Sequence, residues 1–100
     1  MPQKITVTPF DAVDYLSNPA DVDSYLKAAF EDGDPKVIVR ALGAVARVRN
    51  MAKIARAAKV HRVHLYRALS IDGDPKLSTL SSIMSALGYR LSFRREEIGR

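Results

Sequence analysis

The 100-residue sequence contains no cysteine and no long run of apolar residues. Without cysteine, disulfide bonds and thiolate zinc sites are excluded, which is compatible with a reducing compartment. No segment approaches the roughly 20 apolar residues that cross a bilayer, and the N-terminus has no apolar signal region. We therefore expect one small, soluble domain in the cytoplasm, without a membrane partner.

Acidic residues are scarce in the last two-thirds of the chain. Residues 35–100 contain fourteen basic and four acidic residues, a net charge of +10. Residues 1–34 contain two basic and seven acidic residues, a net charge of −5. The basic region favours a polyanion as partner, and the acidic region either favours a basic protein or is an ordinary charged surface. We divide this single domain into an acidic N-terminal helical extension, residues 1–33, and a core, residues 34–100.

The pentapeptide DGDPK occurs at residues 32–36 and again at residues 72–76. Counted from Asp32 or Asp72, a calcium-binding EF-hand loop requires glycine at its sixth position and glutamate at its twelfth, and neither is present. The flanking sequences do not match, so the pentapeptide is not part of a longer repeat. Both copies are interpreted as boundaries between helices. In the first copy the glycine ends one helix, and the aspartate and proline that follow start the next.

Apolar spacing and capping residues predict a mainly α-helical protein with five to six helices. The helices are predicted in segments 8–16, 18–33, 35–49, 51–58, 62–70 and 77–88. In residues 89–94 apolar side chains alternate with polar or charged ones. This period of two predicts a short C-terminal β-strand.

Residues 51–70 contain the pattern that bears on function. They form two short predicted helices joined by a tight turn, with the small Ala55 where the helices cross. The apolar residues expected to face inward are Ile54, Ala58, Val60, Leu65, Ala68 and Leu69. This spacing is typical of a helix-turn-helix motif, although a plain helical hairpin in a small bundle would show it too.

The outward face of the second helix favours the helix-turn-helix interpretation. Residues 51–71 contain five lysine or arginine residues, two histidines and no aspartate or glutamate. A solvated surface normally mixes both signs of charge, so a stretch without any carboxylate indicates an anionic ligand. For such a helix pair, nucleic acid is the anion that we expect.

Several segments resemble those of a known family. They are FDAVDYL, YLKAAFEDGDP, ALGAVARVRNM, IARAAKVHRVHLYRALS and DGDPKLSTLSSIMSALGYRL, and together they span nearly the whole chain. In these segments the chain resembles the probable addiction module antidote proteins, a HigA-like group of bacterial antitoxins. Leu65–Leu69 matches the Leu-Tyr-basic-Ala-Leu signature of their recognition helix. The resemblance implies a lambda-repressor-like domain that binds operator DNA, represses its own operon and neutralises an mRNA-cleaving toxin of the RelE/HigB type.

The sequence departs from the family pattern at the turn and at the helix caps. Lys59 stands where the turn usually has glycine, so a lysine is expected to adopt a positive φ. Ala52 and His61 stand where serine or threonine commonly caps each motif helix. Asn50 is an alternative cap for the first helix, one register earlier. These departures affect the boundaries and stability of the motif more than its ability to bind DNA.

Contacts with double-stranded operator DNA are assigned to the second helix and its surroundings. Arg62 and Arg67 suit bidentate contact with guanine, and Val63 suits a thymine methyl group. The lysines and the backbone amides at the start of the last helix suit phosphates. For Tyr66, half-buried packing is as good an interpretation as a phosphate contact. The predicted DNA-contacting residues are Lys53, Lys59, His61, Arg62, Val63, His64, Tyr66, Arg67, Ser78 and Thr79. The two histidines have no carboxylate nearby, so no metal or other cofactor is expected.

Two protein contacts are predicted as well. One recognition helix reads one half-site, so we expect a homodimer on a palindrome, with Leu91 and Phe93 of the strand in the dimer interface. The acidic extension is expected to bind a small basic toxin through Asp21, Asp23 and Glu31.

Other classes of function stay open on the sequence alone. A stand-alone repressor would bind DNA without a toxin partner, and a protein-only inhibitor would bind a toxin without DNA. An enzyme is not expected, because the sequence has no nucleophile–base set, no glycine-rich phosphate loop and no clustered carboxylate pair. The predicted function is that of the antitoxin in a type II toxin–antitoxin module.

Overall fold

The structure is a computed structural model that describes residue 16 and residues 18–97. Within these residues it contains five helices and no β-strand, so the mainly helical prediction is confirmed. The helices are α1 (Pro19–Asp32), α2 (Pro35–Arg49), α3 (Met51–Ala58), α4 (Arg62–Ala68) and α5 (Leu77–Ala86). Both α4 and α5 end two residues earlier than predicted. The helix predicted over residues 8–16 lies outside the described residues, apart from Leu16.

The first DGDPK segment connects α1 to α2 in the way that its sequence predicts. Gly33 adopts a left-handed conformation, with φ 82°, and its N–H donates to the carbonyl of Ala29 (3.3 Å), which ends α1. The side chain of Asp34 accepts a hydrogen bond from the backbone N–H of Lys36 (2.9 Å), and Pro35 is the first residue of α2. The glycine, the aspartate and the proline therefore each have the predicted role.

The second DGDPK segment also separates two helices, but it does so differently. α5 begins at Leu77, and the residue before it, Lys76, makes no side-chain capping hydrogen bond. Gly73 does not adopt a positive φ, but a Cβ added to it would lie 2.1 Å from the carbonyl oxygen of Ala68. This segment is therefore a close-packed connection against the end of α4 rather than a helix cap.

A single residue, Asn50, separates α2 from α3. Its N–H donates to the carbonyl of Ala46 (2.9 Å) and ends α2, while its side-chain oxygen accepts from the N–H of Lys53 (3.1 Å) and starts α3. The φ of 102° is unfavourable for a residue with a Cβ, and the two capping hydrogen bonds offset that strain. The predicted alternative cap of this helix is confirmed.

All five helices contribute to one hydrophobic core. α1 packs against α2, and α3 contacts α2, α4 and α5. The largest fully buried side chains are Leu16, Val22, Leu42, Val45, Leu65 and Ile83. No polar or charged residue is buried among those that the structure describes, so apolar burial holds the helices together.

Residues 89–97 follow α5 and form neither helix nor strand. The strand predicted over residues 89–94 is not confirmed, because a strand needs a neighbour for its backbone hydrogen bonds and no described segment pairs with it. The predicted alternation holds for Tyr89 and Leu91, which are half-buried, but Phe93 is 96% exposed. Side-chain hydrogen bonds connect this segment to α1 instead.

Candidate nucleic-acid interface

The turn between α3 and α4 comprises Lys59, Val60 and His61. Lys59 has φ 62° and ψ 42°, the left-handed conformation, and its N–H donates to the carbonyl of Arg56 (3.2 Å). The N–H of Val60 donates to the carbonyl of Ala55 (3.0 Å), which closes the turn. The predicted positive φ of Lys59 is confirmed, at a cost of about 1 kcal/mol relative to glycine. His61 precedes α4 without a side-chain capping hydrogen bond.

The inward face of α4 holds this helix in place. The residues predicted to face inward are all buried or half-buried, and Leu65 and Leu69 are buried almost completely. With only seven residues, α4 would not be stable as an isolated helix. Packing against α3 therefore supplies its stability and fixes its orientation.

The outward face of α4 is open to solvent. All ten residues of the predicted DNA-contacting set lie at the surface, Thr79 being half-buried and the others exposed. Val63 is 64% exposed, so its apolar side chain has little packing role in the chain. Its position among basic residues suits contact with a thymine methyl group. Tyr66 is 47% exposed, so both interpretations of this residue stay open.

A hollow beside α4 brings together residues from three helices. Arg62 and Tyr66 of α4 line it, together with Arg47 near the end of α2 and Asn50 at the start of α3. No acidic residue of the described chain lines this hollow. Two guanidinium groups around one hollow suit a phosphate group, since guanidinium donors match phosphate oxygens in charge and geometry.

A second hollow lies on another side of α4. Its lining includes His64 and Arg67 of α4, and Lys76 and Thr79 at the start of α5. The two carboxylates of the second DGDPK segment also line it. This hollow is therefore less positive than the first, although its basic groups suit an anion as well.

Arg47 and Lys76 were missed by the sequence prediction. Neither lies within the motif of residues 51–70, yet each is a basic residue close to a helix boundary beside it. That proximity is the signal that could have identified them. Conversely, five residues of the predicted set line neither of the two hollows: Lys53, Lys59, His61, Val63 and Ser78.

The two histidines of the predicted set are close to each other. The ring centroids of His61 and His64 lie 5.9 Å apart, in an edge-to-face arrangement. In the part of the chain that the structure describes, no three histidine, cysteine, aspartate or glutamate side chains cluster as metal ligands would. The two histidines therefore stay predicted DNA contacts.

The predicted toxin-binding carboxylates lie on α1, and each has an intramolecular partner. Asp21 accepts a hydrogen bond from Nδ2 of Asn18 (2.9 Å) at the start of the helix. Asp23 and Glu31 each accept a hydrogen bond from a side chain in residues 89–97. The acidic surface of α1 is therefore exposed but already paired within the chain.

Tyr89 connects α5 to α1. Its N–H donates to the carbonyl of Met84 (2.8 Å), and its hydroxyl donates to Oδ1 of Asp23. Burial raises the pKa of the Tyr89 hydroxyl, and the hydrogen bond to Asp23 and the charge of its carboxylate raise it further, against the opposing effect of Arg49. The hydroxyl therefore stays protonated, and able to donate, at neutral pH.

Comparison with known proteins identifies the family of this chain. The model of the family described as "Probable addiction module antidote protein" matches residues 6–95. The chain belongs to this family. An uncharacterized protein of Haemophilus influenzae is similar to this antidote-family chain, with 35% identity over 86 residues, which cover 86% of this chain and 89% of that protein. No solved structure matches the chain.

Membership of an addiction module antidote family implies a cognate toxin as partner. Within the described residues, no helix is both long enough and apolar enough to cross a membrane. The described part of the chain has two exposed surfaces of opposite charge. The surface around α4 is basic, and the surface on α1 is acidic.

Proposed function

We propose that this chain is the antitoxin of a type II toxin–antitoxin module. It binds operator DNA to repress its own operon, and it neutralises a RelE/HigB-like toxin by direct binding. The observation that carries the proposal is the exposed, carboxylate-free basic surface of residues 51–71 in a member of an antidote family. The proposal includes no catalytic step.

In this proposal α4 is the recognition helix of a helix-turn-helix motif in a lambda-repressor-like domain. An α-helix with its side chains is about 10–12 Å in diameter, which fits a major groove about 12 Å wide. Arg62 and Arg67 donate to guanine, and Val63 contacts a thymine methyl group. His61, His64 and the remaining exposed residues of α4 complete the contact.

Phosphate contacts on both sides of α4 position the helix without reading sequence. On one side Arg47 supplements Arg62, because both line the first hollow. On the other side Lys76 and Thr79 line the second hollow, with the exposed Ser78 next to them. The lysines of α3 and of the turn extend the same basic surface.

The DNA-binding unit is proposed to be a homodimer. One α4 reads one half-site, and two copies related by a two-fold axis read a palindrome with half-sites about one helical turn apart. The exposure of Phe93, 96%, supports a dimer contact in residues 89–94. Leu91 is already half-buried against the core of its own chain, so Phe93 is the better residue to mutate. Phe93→Glu is expected to give monomers in sedimentation, whereas an unchanged dimer would contradict this interface.

The decisive experiment combines DNA retardation with toxin capture. Purified chain is tested for retardation of the DNA upstream of its gene, and for capture of the small basic protein encoded beside it. Arg62→Ala and Arg67→Ala are each expected to weaken operator binding about 10- to 100-fold, since a bidentate contact contributes about 1–3 kcal/mol. Lys27→Ala, which removes an exposed positive charge from α1, is the matched control and is expected to stay within about two-fold of the wild type.

The outcomes separate the proposed function from its alternatives. Retardation without toxin capture identifies a stand-alone repressor. Toxin capture without retardation, and without any salt-dependent affinity for DNA, identifies a protein-only inhibitor. Failure of both would contradict the proposal as a whole.

A further inference from the structure

The acidic surface of α1 is covered in part by the end of the same chain. Residues 89–97, here called the C-terminal strap, reach α1 through two contacts between distant parts of the sequence. The hydroxyl of Tyr89 donates to Oδ1 of Asp23, and the guanidinium of Arg94 donates to Oε2 of Glu31. The two carboxylates are eight residues apart, about 12 Å along the helix, so the strap spans about two turns of α1.

Between these two contacts the strap forms one wall of a groove. Leu91 of the strap packs against the hydrophobic core, and it lines the groove together with Leu26 and Phe30 of α1 and Met84 of α5. The carboxylate of Asp23 lines this groove beside the basic side chains of Lys27 and Arg90, and the carboxylates of Glu31 and Asp32 line the adjoining hollow around Arg94. An apolar floor flanked by carboxylates of α1 suits an amphipathic protein segment that carries arginine or lysine.

The polar contacts that hold the strap are weak, and within the described chain its apolar packing is limited to Tyr89 and Leu91. In the ion pair, the side chain of Arg94 is 75% exposed and that of Glu31 is 50% exposed, and exposed pairs contribute little net stability. Beyond Tyr89 the strap belongs to no helix or strand, so no ladder of backbone hydrogen bonds secures it. Phe93 is almost fully exposed and adds no packing on its own chain. A ligand with similar chemistry and more contact area can therefore displace the strap.

We propose that the C-terminal strap occupies the surface of α1 that receives the toxin, and that a basic segment of the toxin binds by displacing it. The ion pair between Arg94 and Glu31 then occupies the place of an ion pair between a toxin arginine and the same carboxylate. Asp23 passes from the hydroxyl of Tyr89 to a second basic group of the toxin. This inference rests on the proposed antitoxin function, and it specifies the surface and the step by which the toxin gains access.

If the strap and the toxin compete for α1, substitutions in the strap and substitutions of the α1 carboxylates should change the affinity for the toxin in opposite directions. Loosening the strap lowers the cost of displacement and tightens toxin binding, whereas neutralising the carboxylates removes the groups that the toxin contacts. If the strap were instead part of the toxin-binding surface, loosening it would weaken toxin binding.

The experiment measures the affinity of full-length variants for a catalytically inactive form of the small basic protein encoded beside this gene. The double variant Tyr89→Phe/Arg94→Gln is expected to bind about three- to ten-fold tighter than the wild type, because two exposed contacts are removed. Asp23→Asn/Glu31→Gln is expected to bind at least about ten-fold more weakly.

Arg95→Gln is the matched control. It removes the same charge from the same segment, but Arg95 makes no hydrogen bond or ion pair with the described part of the chain. It is expected to bind within about two-fold of the wild type. Thermal unfolding of all variants should stay close to that of the wild type, which separates an effect on toxin binding from a loss of folding.

Hydrogen exchange of the strap gives a second readout in the wild type. Toxin binding is expected to leave exchange of the amides in residues 90–97 fast, since these amides donate no backbone hydrogen bond within the described part of the free chain and the displaced strap gains none. Slower exchange would overturn the proposal, as would weaker or unchanged toxin binding by the strap variant, or undiminished binding by the carboxylate variant. In each of those cases the wild type still binds the toxin and the antitoxin function stands. A wild type that binds no toxin overturns the function itself.

Discussion

The two DGDPK segments have identical sequences and different structures. At residues 32–36 the glycine has a positive φ, and an added Cβ would meet nothing within 4 Å. At residues 72–76 the glycine has no positive φ, and an added Cβ would lie 2.1 Å from a backbone carbonyl oxygen of α4. The first segment therefore requires glycine for its backbone conformation, and the second requires it for space. The helices on either side decide which property of the residue is used.

The largest expected effect comes from Gly73→Ala. The added Cβ would meet the backbone of Arg67 and Ala68, which cannot rotate away as a side chain can, so the end of α4 must shift. We expect a loss of about 3 kcal/mol in the free energy of unfolding, measured by urea denaturation. Operator binding should also weaken, because the shift displaces the proposed recognition helix. A variant with the stability of the wild type would show that the connection is looser than its geometry indicates.

The same substitution at the other copy tests conformation alone. Gly33→Ala places a Cβ in open space but on a backbone with φ 82°. We expect a loss of about 1 kcal/mol in the free energy of unfolding. Operator binding should be unchanged, because no residue of this turn lines either hollow beside α4. If Gly33→Ala cost more than Gly73→Ala, the contrast between conformation and space would be wrong.

The aspartates that follow the two glycines provide a third comparison. Asp34 accepts a hydrogen bond from the N–H of Lys36, whereas Asp74 makes no hydrogen bond in the described part of the chain. Asp34→Ala should therefore lower the free energy of unfolding by about 1 kcal/mol, as the loss of a helix cap does. Asp74→Ala should leave it unchanged within about 0.5 kcal/mol, as for an exposed residue without a specific contact. Equal losses in urea denaturation would indicate that both residues cap a helix.

The same contrast explains how much the sequence could predict. Features that depend on neighbours in the sequence were predicted correctly. They are the boundaries of α2 and α3, the cap at Asn50 and the positive φ of Lys59. The packing of Gly73 against α4 depends on the path that the chain takes after α4. The DGDPK sequence is the same in both copies, so it does not specify that path.

Contacts between distant segments were harder to predict for the same reason. Tyr89 and Asp23 are 66 positions apart, so nothing in the pattern of residues 89–94 indicates α1 as their neighbour. Alternation predicted a strand there, but alternation specifies faces and not a pairing partner. Arg47 and Arg62 line one hollow because the fold brings α2 beside α4, and the helix-turn-helix pattern of residues 51–70 does not indicate that neighbour.

The smallest expected effect concerns the charge of the second copy. Asp72 and Asp74 line the hollow that also contains Arg67 and Lys76, and they reduce its positive charge. Asp72→Asn/Asp74→Asn should therefore tighten non-specific DNA binding about two- to five-fold at low salt, with the gain shrinking as salt screens the surface. The matched variant Asp32→Asn/Asp34→Asn changes the same residues in the first copy, beside α1, and should leave DNA affinity unchanged. Equal gains from both copies would show that only the net charge of the chain matters, and would remove the second copy from the proposed DNA footprint.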